Sequence, residues 1–182
     1  WFSAKGASTL DVSITPPTYW AKISTSQGPF PANLGTNQQI KVNIAVNNYG
    51  SLTWLKGGAS PVYLSYHWFK DGQVVAWDGL RTPLWIDMAP GSGGILLSSN
   101  LLVPSIPGNY TLFCDMVQEG VTWFSAQGVP TFNINVSVTT ATYGTQWVSH
   151  ATPTTIKPGQ IVGVPITLTN TGSQMWSKGG AN

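Results

Sequence analysis

The sequence predicts an all-β fold, two antiparallel sheets packed face to face, in a unit that returns along one polypeptide. Three observations predict it. Apolar residues stand at every second position in several short runs, turn signals separate those runs, and two stretches recur at a single spacing.

Ile40, Val42, Ile44 and Val46 alternate with Lys41, Asn43, Ala45 and Asn47. Val62, Leu64, Tyr66 and Trp68 alternate with Tyr63, Ser65 and His67. Leu97, Leu101 and Val103 share a parity in which Ser99 is the small member. Tyr110, Leu112, Cys114 and Met116 form a fourth set, and Phe132, Ile134, Val136 and Val138 a fifth. Side chains two apart on a strand share a face, so each set is one buried face of a strand. Gly57-Gly58, Asp71-Gly72, Asp78-Gly79, Pro90-Gly91 and Pro107-Gly108 punctuate the runs. No stretch shows helical spacing with caps.

Trp1-Phe2-Ser3-Ala4-Lys5-Gly6 recurs as Trp123-Phe124-Ser125-Ala126-Gln127-Gly128, 122 residues further on. The segment Asn48–Ala59, with Gly50, Trp54 and Lys56-Gly57-Gly58, recurs as Asn170–Ala181 at the same spacing of 122 residues. Between these matches the register slips, because Tyr19 best matches Tyr143, two residues late. Compensating short insertions in loops explain the slip. The expected organisation is the last strand of one repeat at 1–14, a complete repeat at 15–138, and the first strands of a third at 139–182. On this reading the chain is a window on a longer array, with a linker of a few residues near Thr139–Thr142.

Composition narrows the class. Charged residues are 8% of the 182, against a usual quarter, while aromatics reach 12% with nine tryptophans. Disordered chains show the opposite balance. Polarity comes from Ser, Thr, Asn, Gln and Gly, as on the outer strands of secreted β-proteins. A net charge of +2 excludes a basic surface for nucleic acid or acidic membranes. No 18-residue apolar run provides a membrane-spanning helix, and the first six residues lack the features of a signal peptide. The single cysteine, Cys114, rules out an intrachain disulfide.

Pro107-Gly108-Asn109-Tyr110-Thr111-Leu112 resembles the approach to strand F of immunoglobulin-like domains. There a tyrosine forms a corner, and the second disulfide cysteine follows two residues later. Leu112 stands in that place, Trp68 resembles the core tryptophan of strand C, and Ile44 or Val46 takes the position of the first cysteine. The stretch Asn47–Gly58, followed by Ala89-Pro90-Gly91, Val103-Pro104 and Pro107-Gly108, is similar to the "four-tryptophan" immunoglobulin-like modules of bacterial cell-surface proteins. The resemblance covers a full repeat. It implies an immunoglobulin-like antiparallel β-sandwich in a tandem repeat of about 122 residues, located outside the cell or on its surface. Such modules serve as spacers, stalks, binding units and filament bodies, and the fold does not choose among these.

Candidate chemistry is sparse. His67 and His150 are the only histidines and do not share a place in the repeat. Zinc needs about four nitrogen or sulfur ligands, or three and a water. Asp71, Asp78 and Asp87 are too dispersed for a calcium loop. No metal or other cofactor is therefore expected, and His67 is read as an outward strand residue. Asp78, Asp115 and Glu119 are the candidates for a glycosidase pair. The better reading joins them to Arg81, the only arginine, in one partly buried ion-pair cluster that pins loops. No Gly-x-Ser-x-Gly nucleophile motif occurs, and Cys114 falls on an inward face, where a thiol is inert. The chain is not expected to be an enzyme.

Trp20, Trp54, Trp77, Trp85 and Trp123 fall near predicted strand ends or loops. On one exposed face they would stack on glycans; otherwise they cover the sandwich ends or pack between repeats. Asn109-Tyr110-Thr111 and Asn135-Val136-Ser137 match the N-glycosylation pattern, with both asparagines in accessible places. The expected function is structural, as a repeat of an extracellular filament, stalk or surface layer whose partners are adjacent copies of itself. Successive head-to-tail contacts of this kind build open filaments. The alternative is a glycan-binding or adhesive module of a large secreted protein.

Overall fold

The computed structural model describes residues 15–25, 30–174 and 176. The predicted last strand of a preceding repeat at 1–14, and Met175 and 177–181 of the Asn170–Ala181 match, lie outside the described residues. Twelve strands follow in order: β1 (Ala21–Thr25), β2 (Asn33–Gly35), β3 (Gln39–Asn48), β4 (Val62–Lys70), β5 (Gln73–Ala76) and β6 (Thr82–Pro83) come first. Then come β7 (Ile95–Leu102), β8 (Gly108–Gln118), β9 (Thr122–Trp123), β10 (Phe132–Thr139), β11 (Thr145–His150) and β12 (Ile166–Asn170). The described residues contain no α-helix, only a 3-10 turn at Ser125–Gln127.

Two sheets make the central sandwich. One has the order β1-β3-β7, and the other β2-β10-β8-β4-β5, with β6 on β4 and β9 on β8. All pairings are antiparallel except β2 with β10, which run parallel. The fold is an immunoglobulin-like β-sandwich. β3 shows why the sequence folds so: its burial alternates strictly, with Ile40, Val42, Ile44 and Val46 inward and Lys41 and Asn43 in solvent. The β4–β5 hairpin turns on Asp71 (φ 51°) and Gly72 (φ 75°). Two successive positive φ values match the twist of the flanking strands, and Asp-Gly is suited to them.

Inward side chains of both sheets form one core that includes Ile44, Val46, Trp68, Tyr110 and Leu112. Polar tips of aromatic residues tie the sheets together. Trp68 Nε1 donates to Leu102 O (2.9 Å), and Leu102 N donates to Tyr66 Oη (2.8 Å). Two side chains of β4 thus satisfy the last residue of β7 across the sandwich. Tyr110 Oη donates to Ile106 O (2.7 Å), four residues upstream, which is the tyrosine corner of this fold.

Trp54 lies between β3 and β4 and does not join an exposed face. It is fully buried. Asn48 is the cause: its side-chain amide donates to Leu52 O (2.7 Å) and Met88 O (3.0 Å), and its carbonyl accepts from Gly50 N (3.0 Å). That clamp curls the chain back into the sandwich end. Trp54 there exchanges two backbone bonds with Met88 (2.9 Å each) and meets Phe124 edge-on at 5.4 Å. Its indole N–H has no partner.

β11 and β12 begin with the register of β1 and β3, before a bulge between Trp147 and Ser149 shifts it. Ala21 pairs with Asn48 and Ile23 with Val46; Thr145 pairs with Asn170 and Trp147 with Leu168. The Asn48 clamp reappears as Asn170, which donates to Gln174 O (2.7 Å) and accepts from Gly172 N (3.0 Å). Leu52 N donates to Thr18 O (3.1 Å), and Gln174 N to Thr142 O (3.0 Å). Glycine is required at the centre of both copies. A Cβ on Gly50 would lie 2.5 Å from Thr18 O, and Gly172 stands in the same relation to Thr142 O. Ile44 and Val46 are buried, whereas their counterparts Ile166 and Leu168 are exposed in this chain.

The two buried tryptophans predict different costs. Trp68→Phe leaves Leu102 O without its donor, while Trp54→Phe removes a polar group that has no partner. Urea denaturation is expected to show Trp68→Phe less stable than Trp54→Phe by about 1–2 kcal/mol.

Candidate functional site

The outward face of β4 and β8 carries the densest polar and aromatic grouping. Here His67 lies opposite Phe113, and Ser65 opposite Asp115. The segment after β5 doubles back over this face, held by Gly79 N donating to Tyr66 O (2.9 Å). A Cβ at Gly79 would meet that same oxygen at 2.5 Å, so only glycine allows the approach. The fold-back lays Trp77 flat on His67, with ring centroids 4.0 Å apart and planes 20° apart. Trp123 of β9 packs beside the imidazole at 4.4 Å, its plane tilted by 60°. His67 is therefore buried at 2% exposure, not outward in solvent as alternation predicts. Its Nδ1 bonds Trp77 O, which only accepts, so that nitrogen carries a proton.

Arg81 sits at the rim. Its guanidinium lies 4.8 Å over the Trp123 ring and donates to Gly79 O (2.9 Å), Ser65 Oγ (3.1 Å) and Asp78 Oδ1 (2.9 Å). Its Nε donates to Glu119 Oε1. Burial alone lowers its pKa, but the hydrogen bonds from Glu119 and Asp78 outweigh this and hold it above the ordinary value.

The single cluster expected of Asp78, Arg81, Asp115 and Glu119 is divided in two. Arg81, Asp78 and Glu119 form the outer group. Asp115 is fully interior, accepting from Met116 N (2.7 Å) and Ser125 N (3.3 Å) through Oδ1, with Oδ2 3.5 Å from His67 Nε2. The reason is register. Ser65 stands directly opposite Asp115 and takes the Arg81 hydrogen bond itself.

Chemically this arrangement fastens loops. The His67 nitrogens meet a carbonyl and a carboxylate, and neither bonds a hydroxyl or thiol. Asp78 and Glu119 share one guanidinium. Among the described residues no group of three or more His, Cys, Asp or Glu side chains is placed to hold a metal ion. No helix among them is long and apolar enough to cross a membrane.

The tryptophans do not share a face. Trp77, 43% exposed with one face on His67, touches Trp123 at 5.9 Å, and Trp54 is in the core. Trp20 lines a shallow groove with Tyr49, Pro130 and Phe132. Trp85 is 63% exposed. The two glycosylation triplets occupy the same three rungs of the β8–β10 ladder: Asn109 pairs with Ser137, Tyr110 with Val136, and Thr111 with Asn135. Both asparagines are exposed, and Thr111 Oγ1 donates to Asn135 Oδ1 (3.2 Å). Cys114 is buried between the sheets, and burial, with a smaller push from Asp115, raises its thiol from 9.0 to about 12.

No family model matches this chain, and no curated protein matches it. Among solved structures it is similar to the CARDB domain of a Pyrococcus furiosus protein in complex with di-metal ions, at 16% identity and TM-score 0.40, covering 72% of this chain and 100% of that one. It is also similar to a β-glucosidase from Listeria innocua, at 12% identity and TM-score 0.40, over 65% of this chain and 16% of the enzyme. A third likeness is to an ASH/PapD-like domain of human CEP192, at 11% identity and TM-score 0.29, covering 74% and 94% of the two chains.

Two measurements follow from the site. Asp115→Ala strands two buried N–H donors and is expected to cost about 2–4 kcal/mol in chemical denaturation, whereas Glu119→Ala, at a half-exposed pair, costs less than about 1 kcal/mol. The raised Cys114 pKa means the folded chain keeps a proton that the unfolded chain loses above 9.0. Stability from this group is full below that pH and is lost as pH rises towards about 12. Thermal unfolding across pH 8–11 is expected to show a loss that Cys114→Ala removes.

Proposed function

We propose that this chain is a section of a tandem array of immunoglobulin-like sandwiches that serves outside the cell as a filament, stalk or surface layer, without catalytic activity. The observation that supports it best is the recurrence of the β1–β3 pairing, clamp and glycine in β11–β12. A unit that repeats its register and its close contacts is one the chain uses again for the same structural purpose. The ordering of motifs that resembles four-tryptophan surface modules supports the same reading. So does a surface built from uncharged polar residues, with two glycosylation triplets on one outer face.

The array reading is tested on the native protein recovered from its source. Negative-stain images are expected to show beaded strands, each bead roughly 35–40 Å long, as eleven-residue β8 implies at about 3.3 Å per residue. Isolated single particles would sink it. A second reading, a glycan-binding module, is favoured by the exposed ring of Trp85. Saturable quenching of tryptophan fluorescence by oligosaccharides, lost in Trp85→Ala, would establish it in place of the first.

A further inference from the structure

The turn between β2 and β3 is where the central sandwich grips the chain that follows it. Thr36 N donates to Thr139 O (2.8 Å), and Ala141 N donates to Thr36 Oγ1 (3.1 Å). Gly35 is closed in, since a Cβ there would meet Gln38 Cδ at 2.9 Å and Ala141 Cβ at 3.2 Å. Gln38 is buried and uses both ends of its amide. Oε1 accepts from Gly35 N (2.8 Å), shaping the turn, and Nε2 donates to the backbone oxygen of Ser173. Ser173 follows β12, at the place in the third unit that Ser51 holds in the central one.

We propose that Gln38 is the joint residue of the array: its amide locks one repeat onto the serine carbonyl of the next. The inference rests on the tandem reading and names the surface by which a repeat meets its successor. Two further features make the joint propagate. The turn recurs, with Lys157 N donating to Gln160 Oε1 (3.1 Å) and Gln160 N to Lys157 O (3.1 Å). Gln160 therefore presents its amide to the following unit, and Ser51 offers its carbonyl to the preceding one. Opening the joint exchanges the Ser173 carbonyl for water, so the Gln38 bond sets the register of the two units more than it adds stability. The copies share the glutamine but not its surroundings: Lys157 replaces Gly35 and Pro158 replaces Thr36, so the second turn lacks both the close seat for the linker alanine and the Thr36 N–H and hydroxyl that hold the linker.

Gln38→Glu separates the two halves of the amide, because a carboxylate still accepts from Gly35 N but cannot donate to Ser173. Gln39 and Gln174, from the central sandwich and from the chain after β12, both line the cleft at this joint. Cysteines placed there in the full chain, Gln39→Cys with Gln174→Cys, are treated with a short bis-maleimide at high dilution. Buried Cys114 stays unreacted. High intramolecular yield is expected with Gln38, falling at least fivefold with Gln38→Glu. Amide exchange of Thr167 and Thr169 is read in the same samples. Protected amides with a yield indifferent to Gln38 overturn the joint alone. Unprotected amides overturn the tandem reading beneath it.

Discussion

The structure depends on β4 being buried on both faces. Its inward side chains, Val62, Leu64, Tyr66 and Trp68, supply the core. Its outward Ser65 and His67 are also out of solvent. A strand covered twice needs a cover on its second face, and each polar atom sealed beneath must find a partner there. The fold-back at Gly79, the Trp77–His67 stack, the interior Asp115 and the Arg81 rim all follow from that requirement. In a chain with so few charges, the only arginine and three of the six acidic residues are committed to one side of one strand.

Much of the sandwich is legible in the sequence. Alternation identifies the core most directly on β3 and β10, whose outer positions are more exposed; on β4 and β8 the period of two survives in residue type although part of the outer face is covered. The site is less legible. Alternation assigns His67 to the outside correctly as to direction, but it carries no information about whether a loop covers that side. Gly79 and Trp77 held the signal: an aromatic residue two before a glycine in a turn with no freedom for a side chain. Trp54 misleads for a related reason. Its neighbours Gly50 and Gly57 read as loop, and so they are, yet Asn48 turns that loop inward. Asp115 and Arg81 could be placed near each other from strand order, but only the register reveals Ser65 between them.

The pairing of β11 with β12 shows what the spacing of 122 residues conserves. The slip between Tyr19 and Tyr143 falls before the first strand of each pair, and the second strand keeps its own spacing. The first rungs of the ladder are kept, with the clamp asparagine and the crowded glycine at the turn, and a bulge between Trp147 and Ser149 breaks the match beyond them. Loops carry the variation, and a few backbone contacts carry the identity of the unit.

The parallel run of β2 beside β10 has a mechanical consequence. The chain enters the sandwich on the β1–β2 side and leaves from the end of β10. Tension along the backbone therefore slides these two strands lengthwise past each other. Bonds such as Ser137 N to Ala32 O and Thr36 N to Thr139 O (both 2.8 Å) lie across that sliding direction and share the load. They must fail together, unlike the rungs of a hairpin peeled one at a time. A short ladder so oriented works as a shear latch, holding β2 against β10 under load along the chain.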